Sequence, residues 1–268
     1  MLKYIVFISL ILSSVASPAQ PPLRLATTTS TENSGLLAEL LPRFTEDTGI
    51  PVHVIAVGTG KALRLGQDGD VDVVLVHAPA AERAFVDAGY GEKRFPVMHN
   101  DFVIVGPPAD PAGVAGAGNA VEALQRIARS GRLFVSRGDN SGTHKKELAL
   151  WKEAGVTPQG KGYREVGQGM GKVLQMADQL QAYTLTDRGT WLAYAGRLDL
   201  KILHQGDPSL YNPYGIIAVS RKRYPDINHQ AAQRLIDWIT DPQRGQKLIG
   251  AFRLKGQQLF VPDVQQVQ

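Results

Sequence analysis

Cysteine is absent from the 268 residues of this chain, so disulfide bonds, thiolate metal sites and a lipid carried on an N-terminal cysteine are excluded. A block of basic residues is also missing: 29 Lys and Arg against 25 Asp and Glu give a formal net charge of +4, spread along the chain. Nucleic-acid-binding proteins concentrate basic residues in patches, so we expect no nucleic-acid partner. The hydrophobic share of 43% and the charged share of 20% are those of an ordinary globular protein.

Long apolar runs are missing too, except at the N-terminus. Lys3 gives a short basic start, the segment 4–12 is almost wholly apolar, and small residues such as Ala16 and Ala19 follow. The apolar run is shorter than the roughly 20 residues that span a bilayer, which favours a secretory signal peptide over a membrane anchor. We therefore predict a signal peptide at residues 1–19, cleaved between Ala16 and Ala19, and a periplasmic protein.

The remaining chain alternates between predicted strands and helices. One helix is predicted from Leu36 with an interruption at Pro42, and another at 145–154 with Leu148 and Trp151 facing inward. Strands are predicted at 23–28, 52–57, 71–76, 101–105, 133–136, 182–186, 201–204 and 214–220. Regular alternation favours parallel sheets covered by helices, with ligands at the carboxyl ends of the strands. The turn-rich passage 106–118 is where a second unit could begin.

Hydroxyl side chains follow the first predicted strand, where a helix is expected to start. Helix starts offer free N–H groups and partial positive charge, which suits an anion. Strand alternation favours Thr28 and Ser30 as cleft-facing residues, with Thr29 as a further candidate. A plain helix cap is the alternative, since Thr29 and Glu32 fit a capping box.

A second hydroxyl cluster follows the strand at 133–136 and contains an arginine. Arg137 offers a fixed fork of donors that suits an oxyanion. Ser141 and Thr143, with the N–H of Gly142, can complete the shell, and Asp139 is expected to hold Arg137 from behind. A surface turn is the alternative for this segment.

Two further segments are weaker anion candidates. Thr59 and Gly60 lie in a Gly-Thr-Gly-Lys turn that lacks the first glycine and the final Ser or Thr of a nucleotide-binding loop. Their hydroxyl and N–H could face the cleft, or the segment could be a connecting turn. Arg188 lies at a strand-to-helix junction, where it is expected to brace the site without touching the ligand; a helix cap is the alternative.

Enzyme chemistry has little support in the sequence. Asp139, Ser141 and His144 supply the letters of a hydrolase triad, but a Ser and a His three apart at one helix start do not pair as nucleophile and base. No Gly-x-Ser-x-Gly elbow and no His-Glu-x-x-His motif are present, and the six histidines are scattered. We predict neither catalysis nor a metal site.

The sequence resembles the substrate-binding proteins of bacterial tungstate ABC transporters in six segments: Thr27-Thr28-Thr29-Ser30, Val57-Gly58-Thr59-Gly60-Lys61-Ala62-Leu63, Asn100-Asp101-Phe102-Val103, Ser136-Arg137-Gly138-Asp139-Asn140-Ser141-Gly142-Thr143-His144, Gly167-Gln168-Gly169-Met170-Gly171 and Thr184-Leu185-Thr186-Asp187-Arg188-Gly189-Thr190. The Arg-x-Asp-x-Ser-Gly-Thr core at 137–143 is also similar to periplasmic phosphate-binding proteins.

This resemblance implies an α/β, two-lobed type II periplasmic-binding-protein fold with a ligand cleft between the lobes. We assign residues 20–105 and 214–268 to lobe I and 106–213 to lobe II. The implied function is tight binding of tungstate, with molybdate as a second ligand, and delivery to an ABC permease in the inner membrane. A monomer without a cofactor is expected. The alternatives are a binding protein for phosphate or another tetrahedral oxyanion, and a secreted hydrolase.

The protonation state of the ligand separates the tungstate interpretation from the phosphate alternative. Phosphate carries a proton in its dominant dianionic form near neutral pH, so its site needs a carboxylate as acceptor, whereas tungstate offers only acceptors. A tungstate site is therefore expected to consist of donors throughout. Because Arg and hydroxyl donors do not titrate there, this donor set predicts an affinity that is nearly flat from about pH 6 to 8.

Overall fold

The computed structural model describes residues 21–264, which form a two-lobed α/β fold. The predicted signal peptide lies outside these residues. Among them, no helix combines the length and the apolarity needed to cross a bilayer.

Twelve strands are present within residues 21–264: β1 Leu23–Thr28, β2 Val52–Val57, β3 Val73–Val76, β4 Gly91–Gly106, β5 Phe134–Ser136, β6 Tyr163–Glu165, β7 Thr184–Asp187, β8 Lys201–His204, β9 Tyr211–Val219, β10 Arg253–Leu254, β11 Gln257–Gln258 and β12 Val261–Pro262. The same residues contain ten α-helices: α1 Thr29–Asn33, α2 Leu36–Thr48, α3 Thr59–Asp68, α4 Pro79–Asp87, α5 Ala120–Ser130, α6 Gly142–Glu153, α7 Met170–Gln179, α8 Arg188–Tyr194, α9 His229–Thr240 and α10 Gly245–Ala251.

The first sheet has the strand order β12-β4-β9-β3-β1-β2. β1 runs parallel to β2 and β3, but β9 runs antiparallel to both of its neighbours, β3 and β4. The expectation of purely parallel sheets is therefore wrong. The reason is topological: β9 returns from the second half of the chain and enters the sheet between two strands of the first half.

The strand β4 belongs to two sheets. Its first part, Gly91 to Asp101, pairs with β9, and its second part, Phe102 to Gly106, pairs with β7 and β8. β5 pairs with β6 and is bonded on its other side to Tyr183, immediately before β7. The strand predicted at 101–105 is thus only the final part of a 16-residue strand. The assignment of 20–105 with 214–268 and of 106–213 to the two lobes stays a prediction.

The helix α2 continues through Pro42, where the sequence predicted an interruption. Proline inside a helix costs about 3 kcal/mol, because one N–H is lost and the ring crowds the preceding turn. Pro42 lies on the exposed face, as does Ala38, the residue four positions earlier whose carbonyl loses its helical hydrogen bond. The opposite face buries Leu36, Leu40 and Phe44 completely, and this burial holds the helix together.

Glu147, rather than the predicted Leu148, occupies the inward face of α6. Leu148 is 41% exposed, whereas Trp151 is buried as predicted. The Glu147 carboxylate accepts hydrogen bonds from Ser136 Oγ at 2.7 Å, Trp151 Nε1 at 3.2 Å and Tyr163 OH at 2.7 Å. It therefore ties the end of β5 and the strand β6 to α6. Burial raises the pKa of Glu147 to about 7, although its three donors act in the opposite direction.

Glu147 predicts a stability that depends on pH. Because its folded pKa of about 7 lies above the unfolded value of 4.5, its contribution is fully present below 4.5 and is lost as the pH rises through about 7. As the pH rises across this window, the free energy of unfolding of the parent protein should fall by up to about 3 kcal/mol relative to that of Glu147→Gln. Urea unfolding at several pH values measures it. The exposed Glu153→Gln on the same helix is the control, and equal pH profiles for all three proteins would contradict the assignment.

Candidate functional site

Arg137 lies at the end of β5 and is only 7% exposed at its side chain. Its Nε and Nη2 donate to Asp139 Oδ2 at 3.2 and 2.6 Å, and the backbone N–H of Ser141 donates to Asp139 Oδ1 at 3.1 Å. Although burial raises the pKa of Asp139, the bond from Ser141 and the charge of Arg137 outweigh it and hold that pKa below its usual range. The pair leaves part of the five-donor guanidinium fork free for a ligand.

The loop between β5 and α6 requires left-handed backbone at two positions. Gly138 has φ +61°, and a Cβ placed on it would lie 2.6 Å from the Cβ of Glu165, so glycine is required there. Asn140 has φ +58°, a conformation that Asn tolerates better than most residues. This winding turns Asp139 back onto Arg137.

The helix α6 begins directly after this loop. Ser141 is its N-cap, with Oγ accepting from the N–H of His144 at 3.2 Å. Gly142 and Thr143 occupy the first helical positions, where N–H groups lack intrahelical partners. The hydroxyl of Thr143 is buried and has no hydrogen-bond partner among residues 21–264.

The helix α3 presents a matching start from the first sheet. Thr59 and Gly60 are its first two residues, and the Thr59 hydroxyl is likewise buried without a partner in the described part of the chain. A Cβ placed on Gly142 would lie 3.2 Å from Thr59 Oγ1 and 2.9 Å from Cε1 of His77. The starts of α3 and α6, which follow strands of different sheets, therefore meet at one point.

The hydroxyl cluster after β1 also reaches this point. Thr28 is the N-cap of α1, with Oγ1 accepting from Thr31 N at 3.2 Å, so the alternative of a capping box that starts at Thr29 is not formed. Thr29 is exposed and Ser30 is half-buried. The Ser30 hydroxyl lies 3.1 Å from Thr28 Oγ1 and 3.5 Å from Nε2 of His77.

His77 is the site residue that the sequence analysis missed. It follows β3 as Thr29 follows β1, and that position at a strand end was the signal that could have found it. Its ring stacks on Tyr214 with centroids 4.8 Å apart, and its Nδ1 lies 2.9 Å from Asn212 Oδ1. Asn212 in turn donates from Nδ2 to Asn100 Oδ1 at 2.6 Å, across the β4–β9 pair.

Arg188 lies behind this cluster. It binds Asp101 through Nε at 2.5 Å and Nη2 at 2.6 Å, and it donates to Gln205 Oε1 at 2.9 Å. The neighbouring Asp187 caps α8, with one oxygen accepting from the N–H and the other from the hydroxyl of Thr190. Arg188 therefore joins α8 to β4, and it is the carboxylate of Asp187 that forms the cap.

The arrangement is suited to holding an anion. Three structural segments supply buried donors: the start of α3, the start of α6 and the Arg137 fork. Asp139, Ser141 and His144 do not form a catalytic triad. His144 Nδ1 accepts from the N–H of Asn140, and Ser141 Oγ accepts from the backbone N–H of His144. The Asp139 and Asp187 carboxylates already have donors of their own.

Known proteins resemble the chain over most of its length. Residues 15–243 match the family described as PBP superfamily domain. The tungstate-binding protein TupA of Peptoclostridium acidaminophilum is 50% identical over 243 residues, which are 89% of this chain and 85% of that protein. The solved structure of the tungstate binding protein TupA from Desulfovibrio alaskensis is 48% identical, has a TM-score of 0.81 and covers 92% of this chain and 100% of its own. The solved structure of the tungstate ABC transporter from Geobacter sulfurreducens is 55% identical and has a TM-score of 0.80. It covers 86% of this chain and 98% of its own.

The narrow gap at Gly142 predicts the effect of a methyl group. Gly142→Ala should lower the affinity for an oxyanion, with tungstate as the probe, by about 5- to 160-fold, because overpacking at the meeting point of α3 and α6 costs about 1–3 kcal/mol. Gly58→Ala, at a helix cap with nothing within 4 Å of its Cβ position, is the matched control. Isothermal titration calorimetry measures both, and parental affinity in Gly142→Ala would place the ligand elsewhere.

Proposed function

The chain belongs to the PBP superfamily and, within it, to the family of the tungstate-binding proteins, and from this premise we propose that it binds tungstate and delivers it to the permease of an ABC transporter. The observation that carries the proposal is the meeting of two helix starts from different sheets beside Arg137. The buried hydroxyls of Thr59 and Thr143 lie at these starts and have no hydrogen-bond partner among the described residues. Such groups cost free energy unless a ligand supplies the acceptors.

The proposed binding residues are those at the meeting segments: Thr28, Thr29, Ser30, Thr59, Gly60, Arg137, Ser141, Gly142 and Thr143. The hydroxyls and N–H groups donate to the oxygens of the anion, and Arg137 adds the one permanent positive charge among them. Asp139 holds the guanidinium in place, and Arg188 holds α8 against β4 through Asp101.

The donor character of the site favours tungstate over phosphate. A phosphate proton needs a carboxylate with a free oxygen lone pair aimed at the ligand. Asp139 is directed at Arg137 and at the N–H of Ser141, and Asp187 at the N–H and hydroxyl of Thr190. A fully deprotonated dianion such as tungstate needs no acceptor from the protein, so the phosphate reading is not favoured.

The role of the protein is transport. We propose that it acts in the periplasm after removal of residues 1–19, that it functions as a monomer, and that it performs no chemistry on the anion. Molybdate is a proposed second ligand, because it is a tetrahedral dianion of nearly the same size. The permease, driven by a separate ATPase, is its proposed partner in the inner membrane.

The proposed function predicts a large stabilisation by tungstate. A ligand bound only by the folded state adds about 2.7 kcal/mol at a free concentration of 100 times its Kd. We therefore expect a higher melting temperature with tungstate and a calorimetric titration that ranks tungstate and molybdate far above sulfate and phosphate. If tungstate and molybdate both produce no heat and no thermal shift, the proposal is refuted. Phosphate that competes at similar concentrations would support the alternative ligand.

Arg137 should contribute more to binding than any single hydroxyl. Arg137→Ala should weaken tungstate binding by about 2–5 kcal/mol, because a buried charged donor is lost, whereas Thr59→Ala should cost about 0.5–1.5 kcal/mol. The exposed Arg129→Ala is the control for a lost positive charge. Calorimetry gives the affinities, and urea unfolding of each variant separates binding from stability. An Arg137→Ala protein that binds as tightly as the parent would remove Arg137 from the site.

A further inference from the structure

His77 presents one edge of its ring to the donor cluster. Its Nε2 lies 3.5 Å from the hydroxyl of Ser30, and its Cε1 borders Gly142. The other edge is fixed in the protein: Nδ1 bonds to Asn212, and the ring stacks on Tyr214. The ring therefore has a single orientation, with Nε2 toward the proposed ligand.

The hydrogen-bond network determines which nitrogen of His77 carries its proton. Asn212 uses its Nδ2 to donate to Asn100, which leaves its Oδ1 as an acceptor for His77. The Nδ1 of His77 must then be the donor. In the neutral ring Nε2 is consequently an unprotonated acceptor, and it faces a site whose other members are donors.

Several polar and charged groups face His77 from the elements around it. They are Ser30 of α1, Thr59 of α3, Arg137 after β5, Asp187 of β7, and Asn212 and Tyr214 of β9. Burial lowers the pKa of His77 and Arg137 acts in the same direction, whereas the bond to Asn212 and the charge of Asp187 raise it. Without an anion, the neutral ring is therefore the favoured form.

A bound dianion reverses this balance. Its negative charge lies next to Nε2 and favours the imidazolium, while the Ser30 hydroxyl can turn from Nε2 to the anion. We propose that His77 is a further oxyanion-binding residue, which takes up one proton at Nε2 from solvent when the dianion binds. This inference rests on the proposed function, since it needs a dianion at the meeting point of α3 and α6.

Proton uptake gives the affinity a definite pH dependence. Because the bound state holds more protons than the empty state, affinity rises as the pH falls, by at most about tenfold per pH unit for one proton. This replaces the flat profile expected from Arg and hydroxyl donors alone. The rise should level off once His77 is protonated in the empty protein as well.

Calorimetry in buffers of different ionisation enthalpy tests the proposal directly. Tungstate is titrated into the mature protein between about pH 6 and 8, a range centred near ordinary His pKa values. The slope of the observed enthalpy against buffer enthalpy counts the protons taken up. We expect an uptake approaching one proton at the lower end in the parent protein and none in His77→Gln. The exposed His53→Gln on β2 is the matched control and should behave as the parent.

The outcomes separate this inference from the function on which it rests. Tungstate binding without proton uptake in the parent overturns the role of His77 and leaves the function intact, as does uptake that persists in His77→Gln. Absence of tungstate binding overturns both. If His77→Gln does not fold, the ¹⁵N shifts of the histidines in the parent decide. An imidazolium that appears only on tungstate binding supports the proposal, and unchanged shifts of all six histidines overturn it.

Discussion

A buried hydrogen-bond donor without an acceptor costs free energy, and this protein places several such donors at one point. The hydroxyls of Thr59 and Thr143 have no partner within residues 21–264, and the first N–H groups of α3 and α6 have none within their helices. The tetrahedral dianion that we propose as the ligand would supply acceptors for all of them together. The sheets keep the donors in position, because each donor segment begins at the end of a strand and the strands fix where the helices start.

Segments from different sheets complete the cluster. Thr59 follows β2 of the first sheet, and Gly142 follows β5, which pairs with β6 and is bonded to Tyr183 immediately before β7. The strand β4 pairs with β9 in its first part and with β7 in its second, and the buried amides of Asn100 and Asn212 bond between β4 and β9 near this transition. The proposed anion, held by both helix starts, would add a link between the two parts of the molecule that β4 already joins.

Among the proposed binding residues and Asp139, the formal charges are nearly balanced before a ligand binds. Arg137 is the buried cation, but Asp139 binds it and remains ionised, so the pair has little net charge. The helix starts contribute only partial charges. The two negative charges of a bound oxyanion exceed the positive charge that these groups supply. Uptake of a proton by a neighbouring side chain would offset part of the excess. His77, buried beside Ser30 and held by Asn212, is the titratable group in the right place.

The sequence by itself determined the α/β class and most helix and strand positions. It also identified the segments that follow β1, β2 and β5 as candidates for anion binding. These features depend on local periodicity, on turn residues and on hydroxyls at helix starts, all of which can be recognised within a few neighbouring residues. Only the tertiary structure decided that β9 enters the first sheet antiparallel, that Glu147 rather than Leu148 faces inward, and that His77 reaches Ser30. Each of these depends on partners far away in the chain, such as Asn212 for His77. Local patterns carry no information on such partners, because burial and pairing are determined by which surfaces meet after the chain has folded.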